Sequence, residues 1–198
     1  MALTFVFFSL AAFVLGAIPT AFIFAKQFKG IDIRQHGSGN VGATNASRVL
    51  GRSYGIGVFI IDFLKGALPV LLARIFFDVS QTHALWIGFA AILGHVFTPF
   101  LGFKGGKGVA TGMGVIFSGE PAMGLMTAIF WLAILKLFKM VSVSSMASFF
   151  LLALVSFLIG KPLPTSLFFL SIAVFSVWTH RDNINRMLSG AENRVSWP

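Results

Sequence analysis

Val109-Ala-Thr-Gly-Met-Gly-Val-Ile-Phe-Ser118 is the stretch on which the fold turns. It is apolar, but it is short, carries Gly112 and Gly114, and runs into Glu120-Pro121. A helix that crosses a bilayer needs about 20 mostly apolar residues, range about 17–25. The other hydrophobic segments of the 198-residue chain meet that length or come close to it. They are Leu3–Ala25, Tyr54–Phe76, His83–Phe100, Ala122–Phe138, Ser144–Ile159 and Leu163–Thr179. Whether residues 109–118 also cross decides the side of the membrane on which every later loop lies.

Lysine and arginine concentrate on the cytoplasmic side of membrane proteins, so the charges arbitrate. With seven spans, the cytoplasmic side holds Lys26, Lys29, Arg34, Arg48, Arg52, Lys104, Lys107, Lys136, Lys139, Arg181, Arg186 and Arg194. The outside then holds only Arg74 and Lys161, and Lys65 lies within a span. If residues 109–118 re-enter instead, the split falls to 8 inside against 6 outside. The charge pattern therefore predicts an all-α integral membrane protein, a bundle of seven transmembrane helices with its N-terminus outside and its C-terminus cytoplasmic. Residues 1–198 read as a single membrane-embedded domain. Leu3–Ala25 is too long for a signal-peptide core and has no basic residue before it, so it reads as a retained span.

Composition supports this class. Hydrophobic residues make up 57% and charged residues 11%, against about 25% charged in soluble domains. Membrane strands alternate apolar and polar residues, whereas these apolar runs are continuous. There are no cysteines, which excludes disulfides, thiolate catalysis and cysteine-held metals. A net charge of +9 with six acidic residues suits anionic lipid and anionic substrates. Nucleic acid is excluded as a partner, because no soluble basic region exists to hold it.

Seven spans bring three polar clusters to one side. The first is Gly37-Ser-Gly-Asn-Val-Gly-Ala-Thr-Asn45. Glycines let successive N–H groups turn toward one anion. Ser38, Thr44, Asn40 and Asn45 add side-chain donors. A helix beginning near Thr44 would place Arg48 one turn on, with its N-terminus favouring negative charge. The alternative is a flexible turn with an N-cap at Thr44 or Asn45, against which the density of donors argues. The second cluster is Phe103-Lys-Gly-Gly-Lys-Gly-Val-Ala-Thr111. It is not a nucleotide P-loop, because Leu101 stands where that pattern requires glycine and Gly108 follows Lys107. Lys104, Gly105, Gly106 and Lys107 before a short helix still form an anion-binding pattern, with snorkelling lysines as the alternative.

The third cluster is His180-Arg-Asp-Asn-Ile-Asn-Arg186, followed by Gly190-Ala-Glu192. If the last span continues as a helix, His180, Asn183 and either Arg186 or Met187 share a face. A histidine at the water end of that face could move a proton near neutral pH or simply form a structural hydrogen bond. Glu192 could hold a hydroxyl, cap the loop or orient a basic side chain. Asp62 and Lys65 lie inside a span, as a functional pair or an internally neutralised one.

These motifs carry a resemblance. Asp32-Ile-Arg-Gln-His-Gly-Ser-Gly-Asn-Val-Gly-Ala-Thr-Asn45, Asp62-Phe-Leu-Lys-Gly-Ala67, Gly94-His95, residues 103–111 and residues 180–192 occur in order and at similar spacing. The chain resembles the bacterial acylphosphate:glycerol-3-phosphate acyltransferases of the PlsY type, from near residue 16 to residue 194. Val41 stands where many members have proline. The resemblance implies transfer of an acyl group from acyl phosphate to the 1-hydroxyl of glycerol 3-phosphate, giving lysophosphatidic acid and phosphate. It implies neither acyl-CoA nor acyl carrier protein as direct donor. It also implies a multi-pass protein of the bacterial inner membrane whose active site faces the cytoplasm. The His-x4-Asp motif of soluble-type acyltransferases is absent.

By the family pattern Ser38, Thr44, Arg48, Lys107, His180 and Asn183 form a phosphate pocket. Gly37, Gly39, Asn40, Asn45, Gly105 and Gly106 are expected to bind substrate phosphate with them, and Lys104 and Arg186 to hold a second phosphate. His180, Lys107, Ser38 and Asn183 are the expected catalytic set. The proton acceptor is either His180 or a substrate phosphate oxygen. Neither a metal nor a cofactor is expected, since carboxylates are sparse near the loops. An anion or phosphate transporter is the rival class, but it would require polar groups strung through the bundle, where only Asp62 and Lys65 lie deep.

Overall fold

The structure, a computed structural model, describes residues 2–195. Among the described residues the regular structure is helical throughout. The helices are α1 (Ala2–Ala17), α2 (Thr20–Lys29), α3 (Ala43–Leu50), α4 (Arg52–Phe77), α5 (Gln81–Val96), α6 (Val109–Gly119), α7 (Pro121–Phe138), α8 (Val141–Leu158), α9 (Leu163–Thr179) and α10 (Arg181–Leu188). Short 3-10 turns follow α2 and α5.

Five stretches are long and apolar enough to cross a membrane: Leu3–Lys29, Arg52–Phe77, Gln81–Leu101, Pro121–Phe138 and Val141–Leu158. The α9–α10 pair, bent by 58°, makes a sixth if it counts as one span. The outward-facing side chains fit this reading, since large apolar residues such as Phe76, Leu137 and Leu158 are 70%, 77% and 75% exposed. The stretch at 109–118 is helix α6, with 11 residues. At about 1.5 Å per residue it rises about 16 Å, roughly half of a hydrocarbon core of about 30 Å. Helix length thus yields five or six spans where loop charge yields seven.

The chain packs as two compact units, one ending at Gly119 and the other beginning at Glu120. In the first unit α1 lies against α5, and α4 against α6. Small residues permit close approach: a side chain at Gly94 would strike the Phe13 carbonyl, and one at Gly66 the Thr111 carbonyl. Between helices in lipid, such backbone proximity supplies the van der Waals contact that a hydrophobic effect cannot. The carbonyls ending α6 are satisfied by Arg74, which donates to Ser118 at 3.2 Å and Gly119 at 3.4 Å, and by Gln81, which donates to Gly119 at 2.7 Å.

The first long segment is broken. α1 ends at Ala17, and Pro19 has no N–H to continue the ladder. The Thr98 hydroxyl donates to the Ala17 carbonyl at 2.5 Å, and Lys65 Nζ donates to the Ile18 carbonyl at 2.6 Å. Unpaired carbonyls in hydrocarbon need such partners.

In the second unit α8 packs against α7 and α9. Several α8 serines turn back onto their own helix, as Ser144 does to Met140 and Ser145 to Val141. They add small volume without leaving a buried hydroxyl unpaired. Trp131 on α7 donates to Ser145 at 3.1 Å. Lys161 pairs with Glu120 at 2.8 Å, tying the α8–α9 turn to the start of α7.

Candidate active site

The first unit presents two glycine-bearing polar loops. In the α2–α3 loop, Asp32 caps a 3-10 turn by accepting the Arg34 N–H at 3.0 Å. The Arg34 guanidinium grips the same carboxylate, with contacts of 2.7–3.2 Å, and lies over the Phe22 ring at 5.3 Å. The side-chain hydrogen bond from Arg34 holds Asp32 down to about 2 and raises Arg34 in turn.

Asn45 organises the rest of that loop. Its amide nitrogen donates to the carbonyls of Ile33, His36 and Asn40, at 3.4, 3.0 and 2.9 Å. Its amide oxygen accepts the Ser38 N–H at 2.8 Å. Gly37 adopts φ +62°, and a side chain there would strike the Asn45 amide oxygen. The donors expected of Asn45 for an anion are therefore engaged with loop carbonyls. Ser38, Thr44 and Arg48 are all exposed, as are Arg34, Gln35 and His36. α3 begins at Ala43, so Thr44 and Arg48 share one face. The N–H groups of its first turn have no intrahelical acceptor.

The α5–α6 loop is held differently. The Gly105 N–H donates to the Val96 carbonyl at 2.9 Å, and the Gly106 N–H to the His95 carbonyl at 3.1 Å. These amides, expected to form an anion nest, extend the end of α5 instead. The glycines are required by proximity, since a side chain at Gly105 would strike the His95 carbonyl and one at Gly106 the His95 ring. Lys104 is exposed and Lys107 half-buried, just before the N-terminus of α6.

The second unit carries the third cluster. The last span does not continue straight: the chain bends by 58° at His180, between α9 and α10. His180 is 2% exposed. Its Nδ1 lies 2.7 Å from the Ser176 carbonyl. A carbonyl only accepts, so Nδ1 carries the proton of the neutral ring and Nε2 the lone pair.

Glu192 is a hub. Its Oε1 accepts from Asn183 at 2.6 Å and from Ser142 at 2.8 Å, and its Oε2 accepts from Arg186 Nε at 2.9 Å. Burial pushes its pKa up, but the hydrogen bonds from Asn183, Ser142 and Arg186 outweigh that and leave it below 4.5. Of the roles open to Glu192, orienting Arg186 and Asn183 is the one the geometry displays. Sequence reading missed Ser176 and Ser142. Ser176 stands one helical turn before His180 and was accessible to a period argument. Ser142 lies 50 residues from Glu192, with no local signal.

Asp62 and Lys65 are 1% and 3% exposed. They pair at 2.7 Å, and Asp62 also accepts the Thr20 hydroxyl at 2.9 Å. Among the described residues no group of three or more His, Cys, Asp or Glu is gathered as for a metal ion.

Long apolar helices exposing large hydrophobic side chains define an integral membrane protein, with basic, glycine-bearing loops in its first unit. The family model for glycerol-3-phosphate acyltransferase matches residues 6–190. The glycerol-3-phosphate acyltransferase of Aquifex aeolicus is 42% identical, covering 95% of this chain and 97% of its own. That of Listeria monocytogenes serovar 1/2a is 41% identical over the whole of both. The crystal structure of PlsY, an integral membrane glycerol 3-phosphate acyltransferase, in its glycerol 3-phosphate form superposes with a TM-score of 0.90 at 41% identity, over 97% of this chain and 96% of that one. Its lysophosphatidic acid form superposes at 0.88 and 40%, over 97% and 95%. The chain belongs to the glycerol-3-phosphate acyltransferase family.

Proposed function

We propose that this membrane acyltransferase moves an acyl group from acyl phosphate to the 1-hydroxyl of glycerol 3-phosphate. The observation that carries the reading is the match, over nearly the whole fold, to a relative solved with glycerol 3-phosphate and with lysophosphatidic acid. Residues 1–198 act as one catalytic domain in the bacterial inner membrane. Seven segments cross it, with the N-terminus outside, the C-terminus in the cytoplasm and the polar loops on the cytoplasmic side.

Ser38, Thr44, Arg48 and the N-terminus of α3 take a substrate phosphate. Lys107, Lys104 and the N-terminus of α6 offset phosphate charge, as does Arg186. Gly37, Gly39, Asn40, Asn45, Gly105 and Gly106 shape these loops. The glycerol oxygen attacks the acyl carbonyl carbon, the bond from that carbon to the phosphate oxygen breaks, and phosphate leaves with the electron pair. His180 Nε2 receives the hydroxyl proton, a role favoured by the Nδ1 bond to Ser176. Glu192 holds Asn183 and Arg186 in place for this step. Acyl phosphate is already activated, so positioning and charge stabilisation suffice, without a covalent acyl-enzyme, metal or cofactor. The deep polar groups Asp62 and Lys65 are engaged with Thr20 and Ile18, which argues against a transport path.

Purified protein in bilayers, given both substrates, should release lysophosphatidic acid and phosphate in equal amounts, with strong chelator present. Phosphate without acylated product would mean hydrolysis, and product from acyl-CoA would overturn the donor. Burst kinetics would indicate an acyl-enzyme. The cysteine-free chain suits labelling: Lys161→Cys should react from outside the cell and Lys104→Cys only from within. The opposite pattern would invert the topology.

A further inference from the structure

We propose that the buried pair Lys65–Asp62, acting through His95, is a positioning element that sets the loop carrying Lys104 and Lys107. This rests on the assignment of Lys107 to substrate phosphate. The contacts run continuously. Lys65 Nζ bridges the Ile18 carbonyl at 2.6 Å and Asp62 Oδ1 at 2.7 Å, so the pair is fixed to the break between α1 and α2. Thr20, the first residue of α2, holds the same Asp62 oxygen at 2.9 Å. His95, 8% exposed, brings Nδ1 to 3.9 Å from that oxygen. That is too long for a hydrogen bond, so the ring lies beside the carboxylate without bonding to it.

The other edge of the imidazole faces the loop. Its Nε2 fills the space where a side chain at Gly106 would stand, and the His95 carbonyl accepts the Gly106 N–H at 3.1 Å. The residue after Gly106 is Lys107. A shift of the ring therefore moves the backbone on which Lys107 is mounted. A pair serving only to mend the broken segment would need the Ile18 contact, but not a histidine wedged between the carboxylate and a glycine.

Removing one partner would strand a buried charge, so the variant to use neutralises both, Asp62→Asn with Lys65→Met; replacing a whole pair is often neutral for stability. Glycerol 3-phosphate binding to the full chain in detergent is measured by calorimetry, alongside kcat and KM. We expect a dissociation constant weakened about tenfold, with kcat changed less than about threefold. In a Lys107→Ala background the same double change should weaken binding no further. A comparable neutralisation of the second pair, Glu120→Gln with Lys161→Met, should leave affinity unaltered. Should the first double variant fail to fold, His95→Asn, too short to reach Gly106, should show the same split.

Unchanged affinity in the pair or His95 variant, with Lys107→Ala defective, would overturn the positioning proposal alone. Equal weakening by the Glu120–Lys161 variant, or full persistence of the effect without Lys107, would also overturn it. Normal binding by Lys107→Ala would instead overturn the assignment of Lys107 on which it rests.

Discussion

The α2–α3 loop and the α5–α6 loop look alike as text: glycines, donors and basic residues ahead of a short helix. They are built on opposite plans. One side chain from the following helix, Asn45, reaches back and ties three loop carbonyls together. The second loop is held by its backbone. Its own amides dock on the carbonyls ending α5, and its glycines are moulded around His95. The first loop depends on a particular side chain being present, the second on side chains being absent. In both, much of the donor capacity that suggested an anion nest is used internally, which shifts the proposed phosphate contact to Ser38, Thr44, Arg48 and the lysines.

The hardest test of that shared outcome is removal of the cations. Lys107→Ala and Arg48→Ala should each lower transfer by about 10²–10³-fold, as when a charge-stabilising donor is lost, with the helical circular dichroism signal intact. Near-normal turnover would remove that residue from the site. The different plans are separated by Gly106→Ala and Asn45→Asp. A methyl at 106 meets the His95 ring, and overpacking of this kind costs about 1–3 kcal/mol, so thermal stability and activity should both fall. At 45 the carboxylate cannot donate to the three carbonyls, and stability should fall by about 1–3 kcal/mol. If the aspartate variant were as stable as the parent, the tether would not be the amide nitrogen.

A smaller effect tests the second unit. Glu192 has a folded-state pKa below its ordinary 4.5, so its ionised form stabilises the fold above that value. The contribution is lost as pH falls below 4.5. Glu192→Gln should flatten this acid-side decline in melting temperature, and an identical decline in both proteins would exclude Glu192 as its source. The smallest change is expected of Asp32→Asn. That exposed pair persists until pH falls to about 2, and surface pairs of its kind contribute little. Melting and turnover at neutral pH should barely move.

Several features were legible locally. Continuous apolar runs marked α4, α5, α7, α8 and α9, because the hydrocarbon requirement acts residue by residue along one helix. Glycine and basic clusters marked the loops for the same reason. The expected seven spans rest on loop charge alone: by length and composition five or six helices are able to cross, and α6, with 11 residues, is not among them. The bend of 58° at His180, between α9 and α10, had no local signal.

The sequence by itself determined the membrane class, the long apolar segments, the basic loops and the family, since each follows from composition and order along the chain. Only the tertiary structure decided which donors are engaged. Asn45 and the amides of Gly105 and Gly106 serve the loops, and Glu192 gathers Ser142, Asn183 and Arg186. The charges in α4 bind to the break between α1 and α2, with Lys65 on the Ile18 carbonyl 47 residues away. The physical reason is that a hydrogen bond needs a particular partner within about 3 Å. Hydrophobicity needs only a nonpolar environment, and a residue announces that need without naming its neighbour.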